Sequence, residues 1–229
     1  MLDRLFADFD HILVLDTETT GISCKSDEII ELGAFRVRRG EGGALLPDGE
    51  MNRLIQLSPG RVLPEKITDI TGITPEELRE KGVEKAAAAA ELLALLESPR
   101  LLLVAYNAQF DLCFLYYFLQ RLGLAQALQG ARFLDALTVY KDRRPYPHKL
   151  CNAIEAYALQ EENTHRAVDD AKATLTLLTA MESEKDDLDR YLNCFGYNPK
   201  YGVPKPKISS IVYLPQDYRR TRPLYEDLP

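Results

Sequence analysis

The stretch HILVLDTETTG, residues 11–21, decides how the whole chain is read. Branched and apolar residues from Ile12 to Leu15 make a strand that reads as buried, yet it ends in Asp16 and Glu18. In an extended chain, residues two apart project from the same side of a sheet, so both carboxylates converge on one spot. Two charges placed there repel one another and lose hydration, which a bound divalent cation would offset. The residues alone equally allow a plainer reading, a strand that stops in a wet turn at Thr19-Thr20-Gly21.

Outward from this stretch, IIELGAFRVRR (29–39) and MNRLIQL (51–57) are further strand candidates, separated by the turn-rich GEGGALLPDGE (40–50). Three strands with short links predict an antiparallel meander. The period then changes. TPEELRE opens a helix with a capping box from Thr74 to Glu77 and Pro75 at its first position, and KAAAAAELLALLE (85–97) is strongly helix-prone. RLLLVAY (100–106) reads as a buried strand and NAQFDLCFLYYFLQRLG (107–123) as a helix ended by Gly123. ARFLDALTVY (131–140) reads as a strand or strand-to-helix turn, with helices at about 148–158 and 166–183. A meander followed by alternating strands and helices predicts an α/β fold with a mixed sheet covered by helices.

Bulk properties narrow the classes. At 229 residues with 46% hydrophobic and 28% charged residues, the chain has the makings of one substantial globular domain. No apolar run is long enough to cross a membrane. The N-terminus lacks the pattern of a secretory signal, and the expectation is a cytoplasmic chain. The four cysteines, Cys24, Cys113, Cys151 and Cys194, form no metal-binding pair and are expected to be reduced thiols. A net charge of −7 argues against broad coating of nucleic acid, while leaving room for binding one end of a strand. Charge is uneven, since residues 190–229 hold seven Lys or Arg against three Asp or Glu. Residues 1–185 are therefore expected to form the main domain and 186–229 an extension rich in Pro, Tyr and basic residues, with a short strand at SSIVYL. Six of the twelve tyrosines lie in it: Tyr191, Tyr197, Tyr201, Tyr213, Tyr218 and Tyr225. They suit either base stacking or half-buried packing.

Two more segments place carboxylates. In AYNAQFDLCFLYYFLQ, Asn107 reads as a helix cap and Asp111 lies one turn in, on the same face. Asp111 is then either a site residue aimed at the strand end or an acid that favours the helix dipole. In THRAVDDAKATLTLLTAM, Asp170 borders the stripe formed by Thr174, Leu177, Leu178 and Met181, whereas Asp169 points to solvent. His165 stands five residues before Asp170, and the two converge only if His165 precedes the helix. That would make it a loop side chain suited to accepting a proton, as against a flanking histidine without function.

DTETTG, YNAQFD and HRAVDDA, in this order and at these separations, resemble the three exonuclease motifs of the DEDDh family. That family includes the proofreading epsilon subunit of bacterial DNA polymerase III, ribonuclease T and oligoribonuclease. The resemblance covers about residues 8–183 and implies a ribonuclease H-like mixed five-stranded sheet flanked by helices. It implies removal of nucleotides from 3′ ends in the 3′-to-5′ direction with two Mg²⁺ or Mn²⁺ ions. Asp16 would bridge both ions, Glu18 and Asp170 would complete the first site, and Asp111 would hold the second, partly through water. His165 would be the general base. Glu18 and Thr19 would touch the 3′-terminal nucleotide, Ile70 to Ile73 would wall the base pocket, and Asn107 would also contact substrate. Tyr106 stands where members often carry histidine.

The expected partners are single-stranded or frayed 3′ ends of DNA, with a DNA polymerase as a candidate protein partner and no membrane. An exoribonuclease that trims RNA 3′ ends fits the same residues, because sugar discrimination rests on a few contacts near the 2′ position. A non-catalytic nucleic-acid or polymerase-binding module is the reading from another class. With no polymerase or helicase region in these residues, a proofreading role would be that of a separate subunit.

Overall fold

The computed structural model describes residues 1–160, 165–217 and 220–229. Its strands are β1 (His11–Thr19), β2 (Ile29–Arg39), β3 (Leu45–Leu54), β4 (Leu101–Ala105) and β5 (Arg132–Asp135), joined in one sheet in the order β3-β2-β1-β4-β5. β1, β2 and β3 pair antiparallel, as the short links predict, whereas β4 runs parallel to β1 and β5 parallel to β4. The sheet is therefore mixed. The helices are α1 (Asp3–Asp8), α2 (Glu65–Thr71), α3 (Pro75–Lys81), α4 (Lys85–Leu96), α5 (Ala108–Arg121), α6 (Ala136–Arg143), α7 (Leu150–Ala156) and α8 (Ala167–Glu184).

Strand alternation sorts the core into two layers. Ile12 and Val14 of β1 pack with Leu102 and Val104 of β4 beneath α1, α6, α7 and α8. Leu13 and Leu15 pack on the opposite face with Leu32, Ala34 and Leu103, beneath α4 and α5. Every residue of β4 is buried, which explains its unbroken apolar run. At α3, Thr74 accepts a hydrogen bond from the Glu77 N–H at 3.1 Å with Pro75 at the first helical position, so that start is where the capping signal puts it.

One expectation needs correction. β3 begins at Leu45 and ends at Leu54, so it occupies much of the stretch expected to be turn and stops short of Leu57. It is an edge strand, where proline is tolerated, and its register with β2 shifts at Arg36/Val37 next to Gly49, whose φ is 141°. Pro and Gly thus mark a bulged edge here and not a turn. α2 forms from EKITDIT, a stretch rich in β-branched residues to which sequence reasoning assigns no element. It closes on Gly72, left-handed at φ 72°, whose N–H donates to the Thr68 carbonyl at 2.8 Å.

The C-terminal segment packs along the free edge of β5. The Asn193 N–H donates to the Phe133 carbonyl, and the Phe133 N–H donates to Asn193 Oδ1, each at 2.8 Å. β6 (Cys194–Tyr197) and β7 (Val212–Pro215) then form a small parallel pair, with β7 at the stretch read as a short strand. Buried Asp142 of α6 accepts from the Tyr191 hydroxyl at 3.0 Å, from Gln216 Nε2 at 2.7 Å and from the Leu224 N–H. Tyr191, Leu224 and Tyr225 are buried in the first core layer, and Phe195 and Ile211 in the second. Tyr218 lies outside the described residues. No helix among the described residues is long and apolar enough to cross a membrane.

Candidate active site

β1 brings the first pair of acids. Asp16 and Glu18 continue the side of the strand that carries Ile12 and Val14, and so face α8, while Thr17 continues the side of Leu13 and Leu15 toward α5. Burial raises the Asp16 carboxyl well above the usual range, and Asp111, Glu18, Asp170 and Glu31 push it further. Glu18 is pushed up to about 8, by burial first and then by Asp170, Glu31 and Asp111, with Arg166 opposing. Protein groups alone therefore leave these acids short of positive charge.

Asp111 arrives from the first turn of α5 and is buried. Its Oδ1 accepts the Thr17 N–H at 3.0 Å and the Thr17 hydroxyl at 2.8 Å. Burial pushes its carboxyl up to about 7 against those two bonds. Asn107 does precede this helix, but it is left-handed at φ 69° and its side chain caps nothing, contrary to the cap expected from sequence. The N–H groups of Asn107 and Ala108 instead donate to Asp135 Oδ1, each at 3.0 Å. The same carboxylate caps α6 through the N–H groups of Leu137 and Thr138, each at 3.2 Å. One buried acid thus ties the starts of α5 and α6 to the end of β5.

α8 supplies the rest. Asp170 is buried and Asp169 exposed, as the apolar period predicts. His165 precedes the helix, which starts at Ala167, and is exposed with φ 54°. Glu18, His165 and Asp170 each offer a ligand atom within 4.8 Å of the others.

Sequence reasoning missed the pair that holds this corner. Glu31 of β2 lies directly opposite Glu18 and is wholly buried. Its carboxylate takes a forked contact from Arg166, with Nε at 3.0 Å and a terminal guanidinium nitrogen at 2.7 Å, and also accepts the Ala167 N–H at 3.1 Å. Two residues on, Gly33 lets the α8 backbone approach, since a Cβ there would lie 2.1 Å from the Val168 nitrogen. The available signal was an acid among the apolar residues of IIELG.

Beside the acids lies a cavity of about 430 Å³ lined by Glu18, Thr19, Ile67, Ile70 and Phe110. Thr19 holds its rim by donating its hydroxyl to the Gly21 carbonyl at 2.6 Å. Ile73, expected beside Ile70 at the pocket wall, is fully buried in a core cluster with Ile30 and Leu78. Asn107 lines a neighbouring cavity of about 250 Å³. The Tyr106 hydroxyl turns away from the acids and donates to the His148 carbonyl at 2.9 Å.

The RNase T family model, described as Exonuclease, matches residues 13–178, which contain all five of these acidic and histidine positions. The chain belongs to this exonuclease family. The exonuclease-family chain is 33% identical over 205 residues to a PolC-type DNA polymerase III of Thermotoga maritima, a match covering 82% of this chain. It is 29% identical over 231 residues to the PolC-type polymerase of Clostridium perfringens, covering 95% of this chain. In both cases it spans only 14% of the relative's length. Among solved structures, E. coli exonuclease I in complex with a dT13 oligonucleotide superposes with a TM-score of 0.70 at 22% identity, covering 80% of this chain and 43% of that one. The mixed five-stranded sheet flanked by helices is thus the ribonuclease H-like fold expected from the motifs.

Proposed function

We propose that the chain hydrolyses the terminal phosphodiester bond at 3′ ends of single-stranded or frayed DNA, releasing nucleoside 5′-monophosphates. The observation that carries this reading is the convergence of Glu18, His165 and Asp170 within 4.8 Å, beside a cavity large enough for a terminal nucleoside. Membership of the exonuclease family supports the reaction, and DNA polymerase relatives support DNA as substrate and a DNA polymerase as partner. Replication is also work done in the cytoplasm expected from the sequence.

The donor set fits two divalent cations. Asp16, Glu18, Asp111 and Asp170 are hard oxygen donors, crowded enough that Asp16, Glu18 and Asp111 hold protons more tightly than usual. Such a set suits Mg²⁺ or Mn²⁺. Asp16 and Asp111 would hold one ion, and Asp16, Glu18 and Asp170 the other. Bound there, the ions supply a lowered proton affinity for the attacking water and stabilisation of the leaving oxyanion. His165, exposed and next to Glu18 and Asp170, takes the proton as water adds to phosphorus. The bond from phosphorus to the 3′ oxygen of the preceding nucleotide breaks. Thr19, Ile67 and Ile70 hold the terminal sugar and base.

Incubation with Mg²⁺ and 5′-labelled strands of matched DNA and RNA tests the reading. A descending ladder on DNA that Asp16→Ala abolishes is expected. Faster shortening of RNA would reassign the substrate to RNA 3′ ends, and no shortening of either strand would overturn the function.

A further inference from the structure

The second cavity, of about 250 Å³, shares Ile22 and Phe110 with the cavity beside Glu18, so the two adjoin across these side chains. Its inner wall is Asn107 and Gln109 at the start of α5, and its outer wall is Pro204, Lys205 and Tyr213 of the C-terminal segment, with Lys141 of α6 alongside. The outer wall lies beyond residue 178, where the family match ends. It is also firmly attached. The Tyr213 hydroxyl donates to Gln109 Oε1 at 2.5 Å and accepts the Ile208 N–H at 3.0 Å, while Gln109 Nε2 donates to the Pro206 carbonyl at 2.9 Å.

The charges of this segment divide by residue type. Arg220 and Arg222 are engaged with Asp227, and Arg190 lies over the Tyr225 ring. Lys141, Lys200, Lys205 and Lys207 have no ion-pair partner among the described residues, and the last three are exposed. Residues 196–216 contain these three lysines and no acid, in a chain whose net charge is −7. The arginines are engaged within the segment and its lysines face outward, beside a compartment that adjoins the one at the acids.

We propose that this segment forms the outer wall of a second compartment, which takes the nucleotide preceding the 3′-terminal one, with Lys141 and Lys205 neutralising backbone phosphate. The inference rests on the 3′-end hydrolysis proposed above. Charge complementarity selects the occupant, because unpaired lysines around a compartment that adjoins the one at the crowded acids suit a polyanion threaded toward cations.

A small ester and a strand separate the two claims. The p-nitrophenyl ester of thymidine 5′-monophosphate offers a single nucleotide, whereas oligothymidylate offers the preceding ones as well. Lys141→Ala/Lys205→Ala is expected to lower kcat/KM on the oligonucleotide by about fivefold or more relative to the ester. The slope of log affinity against log salt for the strand should fall by about 0.7 for each phosphate that a lysine no longer neutralises. Equal effects on the two substrates, with an unchanged salt slope, would overturn the second compartment and leave the hydrolytic function standing. Failure of the unaltered protein to cleave either substrate would overturn both.

Discussion

Two helices bring an acid to the end of β1, and each has its first turn held by a carboxylate from a neighbouring strand instead of by its own N-cap. For α5 the clamp is Asp135, which accepts four backbone N–H groups and the Thr138 hydroxyl, all neutral donors. For α8 the clamp is Glu31, which takes one backbone N–H and an arginine fork. Its partner Arg166 is 38% exposed and adjoins His165. The two clamps therefore hold their helices by different physics. Asp111 sits in a rigid frame of backbone hydrogen bonds, whereas His165 hangs one residue from an ion pair that charge and salt can reach.

Four experiments probe this contrast. The largest effect belongs to Asp135→Ala, which removes a cap at about 1 kcal/mol and strands two further backbone donors at roughly 1–3 kcal/mol each. A loss of about 4 kcal/mol, seen as a melting temperature lower by about 10 °C, is expected. Gly33→Ala attacks the other helix by placing a methyl group against the Val168 backbone. It should cost about 1–3 kcal/mol in chemical denaturation and reduce cleavage by displacing α8.

Arg166→Lys retains charge and loses the fork. Stability should fall by only about 1 kcal/mol, because Lys keeps a positive charge beside the buried Glu31 carboxylate and only one arm of the fork is lost. kcat for strand cleavage should nevertheless fall roughly tenfold or more with KM little changed, if His165 is the proposed proton acceptor and the lost fork misplaces it. If stability falls and kcat does not, the pair only holds the fold.

The smallest effect is a pH dependence. Folded Glu18 keeps its proton up to about pH 8 against an ordinary value of 4.5, and Asp111 up to about 7 against 3.8. In chelator the folded state therefore binds more protons than the unfolded one between those limits, so stability falls as pH rises through that window. Glu18→Gln should raise the melting temperature in chelator at pH 8 by about 2–4 °C, the shift that about 1 kcal/mol produces at this chain length. At pH 4 the same substitution should have no effect.

Legibility in the sequence followed the range of the interaction. β1 and β2 begin and end where HILVLDTET and IIELGAFRVRR do, because alternation and branching are local signals. The inward face of α8 at Asp170 and the position of His165 ahead of the helix followed from helical period. Glu31 and Arg166 stayed hidden because they are separated by 135 positions and nothing local to either names the other. Asn107 misled because Asn favours both N-caps and left-handed backbone, and only Asp135 from β5 decides between them. Ile70 and Ile73 diverge because left-handed Gly72 turns the chain between them, leaving Ile70 46% exposed and Ile73 in the core.

The crowded carboxylates are proposed to be a two-cation centre. Calorimetric titration of Mn²⁺ into the protein at pH 8, beside Asp16→Asn, measures this without any substrate. Two ions per chain are expected, and Asp16→Asn should bind fewer because it lacks the carboxylate proposed to serve both sites. Absence of Mn²⁺ binding by the unaltered protein, or an Asp16→Asn titration identical to it, would contradict the claim.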